Sequence, residues 1–276
     1  MSHEDAHHLQ VGPEALAGND GLGRYVLLPG SPGRARRIGG RLLDAVEMPN
    51  SRGHNVITGR LERGGRSVDV AAVATGMGCP SLDIIVNELI GLGARRFLRV
   101  GTTGTLQDGL AAGHMVVASG AVRDEGASDA YTPREFPAVA DPVMVEVLCA
   151  TARRLELGDR TWCGIVHSKD SFFGREFAEG PDAARNAEYM RQLSQTGVLA
   201  TEMEAAHLFV LGSVFGGPTG SVNAARSRSV PIRCGALMAV IGDLAGFYGP
   251  DQAKEAEGVM IDLALESMLD LAALEG

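Results

Sequence analysis

Phe97-Leu98-Arg99-Val100-Gly101-Thr102-Thr103-Gly104-Thr105 is the stretch on which the fold turns. An apolar run carrying one arginine empties into glycines and threonines. That pattern predicts a buried strand running into a tight loop. Glycine lets the backbone approach a ligand closely. Threonine hydroxyls and loop N–H groups donate hydrogen bonds, and Arg99 supplies a fixed positive charge just upstream. Such a strand end suits an anion lying beside a polar small molecule. The same composition also makes a plain connector, so its meaning depends on the neighbouring segments.

Those segments repeat the theme. Tyr25–Leu28 predicts a buried strand, Pro29-Gly30-Ser31-Pro32-Gly33-Arg34 a turn, and Ala35 to about Asp44 a helix. This strand–turn–helix with an early arginine is a second anion-binding candidate. It is not G-x-G-x-x-G, so a dinucleotide site has little support. Residues 45–74 read as antiparallel strands, with Arg52 in the loop before a hairpin. Thr75-Gly76-Met77-Gly78-Cys79-Pro80-Ser81 is another turn into a helix whose Leu82, Ile85, Val86, Leu89 and Ile90 form a core stripe; Met77 reads as packing. Further strands are expected at 113–118, 161–166, 198–200 and 233–241, and further helices at 142–157, 183–196 and 251–274. Residues 121–128 read as loop, and Phe172-Phe173 as a stacking platform or simple core. Thr201 is a plausible N-cap for a helix opening with Glu202 and Glu204, which point to different sides; one facing a cleft would leave the other structural or dipole work. Residues 1–23 read as a frayed arm, and 216–231 as a long Gly/Pro/Ser/Arg-rich loop. Strands alternating with helices along residues 1–276, with no repeat or linker, indicate one α/β domain.

Bulk properties narrow the function classes. A chain of 276 residues can bury a large core. A net charge of −9 argues against nucleic acid or an anionic membrane as the main partner, so an anion site must be a local arginine cluster. Cys79, Cys149, Cys163 and Cys234 are scattered and read as reduced thiols of a cytoplasmic protein. The sequence carries no metal-ligand cluster and no redox-cofactor signature.

Together, PGSPGR (29–34), TGMGCPS (75–81), FLRVGTTG (97–104), VRDEGAS (122–128), SKDSFFG (168–174) and TEMEAA (201–206) resemble the nucleoside phosphorylase family of the uridine phosphorylase and hexameric purine nucleoside phosphorylase type, most nearly the uridine phosphorylases. The resemblance implies a three-layer α/β/α sandwich with a mixed, partly barrel-like sheet, and hexamers built of dimers. It implies reversible phosphorolysis of a nucleoside to free base and (deoxy)ribose 1-phosphate, with phosphate as co-substrate and no other cofactor. By the same resemblance Gly30, Arg34, Arg99 and Thr102 surround phosphate, and Arg52 reaches a neighbouring subunit's phosphate. Met203 and Glu204 hold ribose, His8 reaches a neighbour's 5′-hydroxyl, and Thr103, Gly104 and Phe172 form the base pocket.

Three departures stand out. The family's Gln-x-Arg after the aromatic stretch is replaced by Gly174-Arg175-Glu176-Phe177, where Arg175 is a candidate for part of the base recognition. Asp243 stands where uridine phosphorylases often have Asn-Arg; it is a candidate general acid toward a purine, or a loop cap. Ser31 stands where the family usually has Asp. The leading expectation is a uridine phosphorylase-like enzyme. The alternatives are a purine phosphorylase using Asp243, a water-using nucleosidase, or a non-catalytic nucleoside-binding protein. Arg99→Ala is expected to cut turnover by orders of magnitude while leaving the fold intact.

Overall fold

The computed structural model describes residues 6–217 and 230–276; most of the 216–231 loop lies outside them. In chain order the strands are β1 (Tyr25–Leu28), β2 (Leu43–Met48), β3 (Val56–Arg63), β4 (Arg66–Val73), β5 (Arg96–Thr105), β6 (Met115–Asp124), β7 (Ala138–Val139), β8 (Thr161–Lys169), β9 (Ala200–Glu202), β10 (Arg233–Asp243) and β11 (Gly246–Phe247). The helices are α1 (Pro32–Gly39), α2 (Cys79–Gly91), α3 (Pro142–Arg154), α4 (Ala183–Gln195), α5 (Ala205–Gly216) and α6 (Pro250–Glu275).

Strand β5 is the hub. It pairs in parallel with β1 on one edge and with β10 on the other. From β10 the pairing continues through β6, β8 and β9 and returns to β5. Five strands thus close into a barrel-like ring, while β1, β4, β3 and β2 extend as an open wing. Parallel and antiparallel pairs mix, as expected.

Period-two alternation explains the layers. Val26 and Leu28 of β1, Phe97 of β5, and Met238 and Val240 of β10 face one core, shared with Leu82, Ile85 and Leu89 of α2 and Leu208 and Leu211 of α5. Tyr25 and Leu27, Leu98 and Val100, and Leu237 and Ala239 face the other, with Ile38 of α1, Met144 and Leu148 of α3, and Met260 and Leu263 of α6. The sheet is therefore sandwiched between helical layers. No helix among the described residues is long and apolar enough to cross a membrane.

The starts of β1, β5 and β10 are tied to the end of α6. Tyr25 donates to Glu275 at 2.5 Å, and the Nε groups of Arg96 and Arg233 each reach it at 2.9 Å. This clamp fixes one end of the parallel strands, leaving their carboxyl ends for the cleft.

Several elements differ from expectation. Helix α1 stops at Gly39, because Leu43 already pairs with Arg60 of β3. Strand β6 continues through Asp124 and β8 through Lys169, their polar ends paired together inside the barrel. Thr201 is not an N-cap: it lies in β9, and α5 begins only at Ala205, with Glu204 at the N-cap position and no cap bond from its side chain. The arm is anchored from Ala6 onward. Ala6 and Leu9 are buried, and Glu88 accepts from the His8 and Leu9 N–H groups at 2.9 Å each.

Candidate active site

A cavity of about 630 Å³ opens at the carboxyl ends of β1 and β5. Gly30 and Arg34 enter it from the β1–α1 turn, and Arg99, Thr102, Thr103 and Gly104 from β5. Met203 and Glu204 enter from the β9–α5 junction. Phe172, Phe173 and Phe247 form an apolar wall; the Phe172 and Phe247 rings are nearly parallel, 6.1 Å apart. Met77 lies on the cavity rim, 84% exposed, rather than packing in a core.

Local structure aims each arginine. Ser31 caps α1 by accepting from the Arg34 N–H at 3.3 Å, so the Asp usual in the family is not needed for this turn. The Arg34 guanidinium donates to the Val100 carbonyl at 3.3 Å and to Glu257 of α6 at 2.7 Å. Arg99 is 5% exposed, donates from Nε to Glu202 at 2.8 Å, and pairs through Nη2 with Glu204. Each of these two arginines keeps one buried donor without a partner among the described residues: Nε of Arg34 and Nη1 of Arg99. Unpaired buried donors are costly, and here both belong to cations lining the same cavity.

The two glutamates divide their work. Glu202 accepts from the Glu204 N–H at 2.8 Å, the Ala205 N–H at 3.0 Å, the Ser168 hydroxyl and Arg99. Its carboxylate thus satisfies the start of α5, the task sequence reading had given to Thr201. Glu204 accepts the Gly78 N–H at 2.5 Å and pairs with Arg99. Burial is the largest influence on Glu204 and pushes its carboxyl above the ordinary range; Arg99 opposes this and Glu202 adds to it. For Arg99, burial acts downward, but attraction from Glu204 and then Glu202 outweighs it, so its pKa rises.

A second polar chain runs from the cavity outward. Lys169 pairs with Glu176 at 2.8 Å and donates to Thr201 Oγ1 at 2.9 Å and the Glu202 carbonyl at 3.3 Å. Thr201 Oγ1 meets His167 Nδ1 at 2.9 Å, and His167 Nε2 meets Asp124 at 3.0 Å. Burial drives the His167 pKa down against the pull of Asp124. Asp124 in turn accepts from Arg175 Nε at 2.6 Å, while Arg175 stacks on Tyr189 and donates to Asn186.

Arg175 is therefore not a cavity residue; its guanidinium is spent outside the cavity. Asp243 also does not line it: its carboxylate accepts the Ala245 N–H at 2.8 Å, closing the β10–β11 turn. The Thr103 hydroxyl is committed to the Thr201 carbonyl at 2.8 Å. Arg52 is exposed on the loop before β3, and His8 Nδ1 sits 2.6 Å from Glu88; neither lines this cavity within one chain. Sequence reasoning missed Lys169, Glu176 and Phe247 as cavity residues. The available signal was the Lys169-Asp170 pair directly after an apolar strand, which reads as loop unless the strand is known to continue.

The family model described as the phosphorylase superfamily matches residues 24–233. Uridine phosphorylase of Treponema pallidum is 39% identical over 202 residues, 73% of this chain and 76% of that protein. Uridine phosphorylase of Thermococcus kodakarensis is 39% identical over 215 residues, 76% and 74% of the two chains. Guanosine phosphorylase of Halorubrum lacusprofundi is 31% identical over 232 residues, 84% and 83%. The crystal structure of uridine phosphorylase from Vibrio fischeri superposes with a TM-score of 0.76 at 25% identity, covering 97% of this chain and 98% of that one.

Proposed function

The chain belongs to the phosphorylase superfamily, and from that premise we propose that it is a uridine phosphorylase-like pentosyltransferase, cleaving a nucleoside reversibly with phosphate to free base and (deoxy)ribose 1-phosphate. The observation that carries this reading is that Arg34 and Arg99, two cations lining one cavity, each keep a buried guanidinium N–H without a partner among the described residues. A nucleosidase has only water to hold and needs no such cations, whereas a phosphate dianion takes several charge-assisted hydrogen bonds.

The roles follow. Gly30, Arg34, Arg99 and Thr102 hold phosphate beneath C1′. Met203 and Glu204 hold the sugar, Glu204 accepting from its hydroxyls. As the C1′–N bond breaks, the sugar develops oxocarbenium-like charge, which the adjacent phosphate stabilises before its oxygen bonds to C1′. The bond's electrons leave with the base, which lies against Thr103, Gly104 and Phe172. Asp243 receives no proton-transfer role, because its carboxylate closes a turn. Phosphate is a co-substrate, and no metal or organic cofactor enters the scheme.

The reading extends to assembly. Arg52 and His8 serve a neighbouring copy's phosphate and 5′-hydroxyl in dimers that build a hexamer, acting in the cytoplasm in pyrimidine nucleoside salvage. The exposure of Arg52 and the anchoring of His8 near Glu88 support a reach outward from the chain.

The test is uridine cleavage with and without phosphate. Uracil and ribose 1-phosphate forming only with phosphate uphold the reading. Equal cleavage without phosphate makes the protein a nucleosidase, and binding without turnover at saturating phosphate makes it a nucleoside-binding protein.

A further inference from the structure

Resting on the phosphorylase reading, we infer that Glu176 reads the base and selects those with a ring N–H beside a carbonyl, with Lys169 as its positioning residue. The Gln-x-Arg pair that the family resemblance led one to expect is missing here, and Arg175 is committed to Asp124. What faces the cavity in its place is a buried ion pair: Lys169 is 1% exposed and Glu176 7%.

The valences of this pair are informative. An ammonium has three protons to give. Lys169 gives two of them to Thr201 Oγ1 and the Glu202 carbonyl and forms an ion pair with Glu176 Oε2 at 2.8 Å. Its charge therefore holds Glu176 in place. Glu176 Oε1 accepts no hydrogen bond from the described residues and projects over Gly104. A Cβ added to Gly104 would lie 2.7 Å from that oxygen. The free acceptor thus sits on the side of the cavity assigned to the base, while Lys169 is tethered beside the residues assigned to the sugar.

A carboxylate accepts and does not donate. With the sugar held at Met203 and Glu204, the edge atom nearest the sugar faces the ammonium and the next faces Glu176. In uracil these are the O2 carbonyl and N3–H, so both contacts are favourable. In cytosine N3 is a lone pair and meets the carboxylate with repulsion. In a purine the edge runs N3, C2, N1 away from the sugar, so a purine seated with N1 at Glu176 meets the same contrast between the N1–H of hypoxanthine or guanine and the bare N1 of adenine. The shared feature is the N–H flanked by a carbonyl, and the two ring sizes are told apart by experiment.

The experiment measures kcat/KM with saturating phosphate for uridine against cytidine and for inosine against adenosine. The wild-type protein is expected to favour the N–H base by about 100-fold or more in whichever ring size it cleaves. Glu176→Gln can turn an amide N–H toward a ring lone pair. It is expected to lower the value for the N–H base by about 10- to 150-fold and to shrink the preference to roughly tenfold or less. A ratio of substrates in one preparation does not depend on the fraction folded. Lys169→Gln, whose amide can donate to Glu176 but lacks the charge, is expected to lower turnover while keeping the order of preference. Equal cleavage of the two members of a pair by the wild-type protein, or an unchanged ratio in Glu176→Gln, would overturn the inference with the phosphorylase reading intact. If no nucleoside is cleaved, that reading falls instead, and calorimetry with the free bases still decides about Glu176. Uracil and hypoxanthine binding more tightly than cytosine and adenine, with the difference lost in Glu176→Gln, upholds it; equal binding refutes it.

Discussion

Replacing Arg99 with methionine keeps most of the side chain's apolar volume and removes its guanidinium. Glu202 and Glu204, each 3% exposed, are then left together without their shared counter-ion. Glu202 keeps the Ser168 hydroxyl and two backbone N–H groups, but Glu204 keeps only the Gly78 N–H. Removing one partner of a buried ion pair costs about 3–5 kcal/mol, on the order of 10 °C in Tm for a chain of this length. The structure therefore revises the expectation that losing this side chain spares the fold. The deficit depends on pH. Burial already raises the Glu204 pKa above 4.5, and loss of Arg99 removes the strongest opposing pull. A carboxyl with a raised folded-state pKa contributes stability that is fully present below its unfolded pKa and lost as pH rises through the folded one. The difference between variant and wild type should thus be smallest near about pH 5 and largest near about pH 8. Urea denaturation at both values measures it, and turnover should fall by about 10²–10³-fold or more. A deficit below about 1 kcal/mol at the higher pH, or one that grows on acidification, would refute the argument that the guanidinium is what holds Glu204 charged.

Arg34→Gln should raise KM for phosphate by about 10- to 150-fold with little change in Tm, because Glu257 keeps its contact with Arg37; initial-rate kinetics check both. Gly104→Ala drives a Cβ to 2.7 Å from Glu176 Oε1. It should melt near the wild-type temperature yet lower nucleoside kcat/KM by about tenfold or more, since only a side-chain terminus must move. Glu275→Ala removes the clamp on Tyr25, Arg96 and Arg233. It should cost about 3–5 kcal/mol in denaturation while leaving KM for phosphate unchanged, because the clamp ties the strand starts and the cavity lies at their other ends.

Local features were legible where chemistry and sequence proximity coincide. The PGSPGR turn, the β5 stretch and Met203-Glu204 each announced themselves, and the structure brings Gly30, Arg34, Arg99, Thr102, Thr103, Gly104, Phe172, Met203 and Glu204 to one cavity. Closure of the barrel was not legible in detail, because pairing β10 with β5 joins residues more than 130 positions apart and periodicity carries no partner information. The polar ends of β6 and β8 looked like loops for the same reason: His167, Ser168 and Lys169 are buried because Asp124 and the Thr201-Glu202 end of β9 satisfy them, and Arg123 because its guanidinium donates to Ser128 and the Pro133 and Phe136 carbonyls of the loop after β6. Thr201 beside Glu202 imitates a capping signature, yet the helix begins later and a carboxylate from the preceding strand does the capping. The arginines were correctly singled out as cations. Their pairing with Glu202, Glu204 and Glu257 could not be read from spacing, since these carboxylates lie 103 to 223 residues away in sequence.

The central claim is that one cavity seats orthophosphate between the β1–α1 turn and β5. The position of phosphate in a crystal grown with it, together with a non-cleavable nucleoside, tests this most directly. The anion should lie within hydrogen-bonding distance of Arg34 and Arg99, with Gly30 N–H and Thr102 completing its shell and the sugar above it at Glu204. Phosphate bound elsewhere, with both guanidinium groups still turned to their carboxylates, would contradict the account.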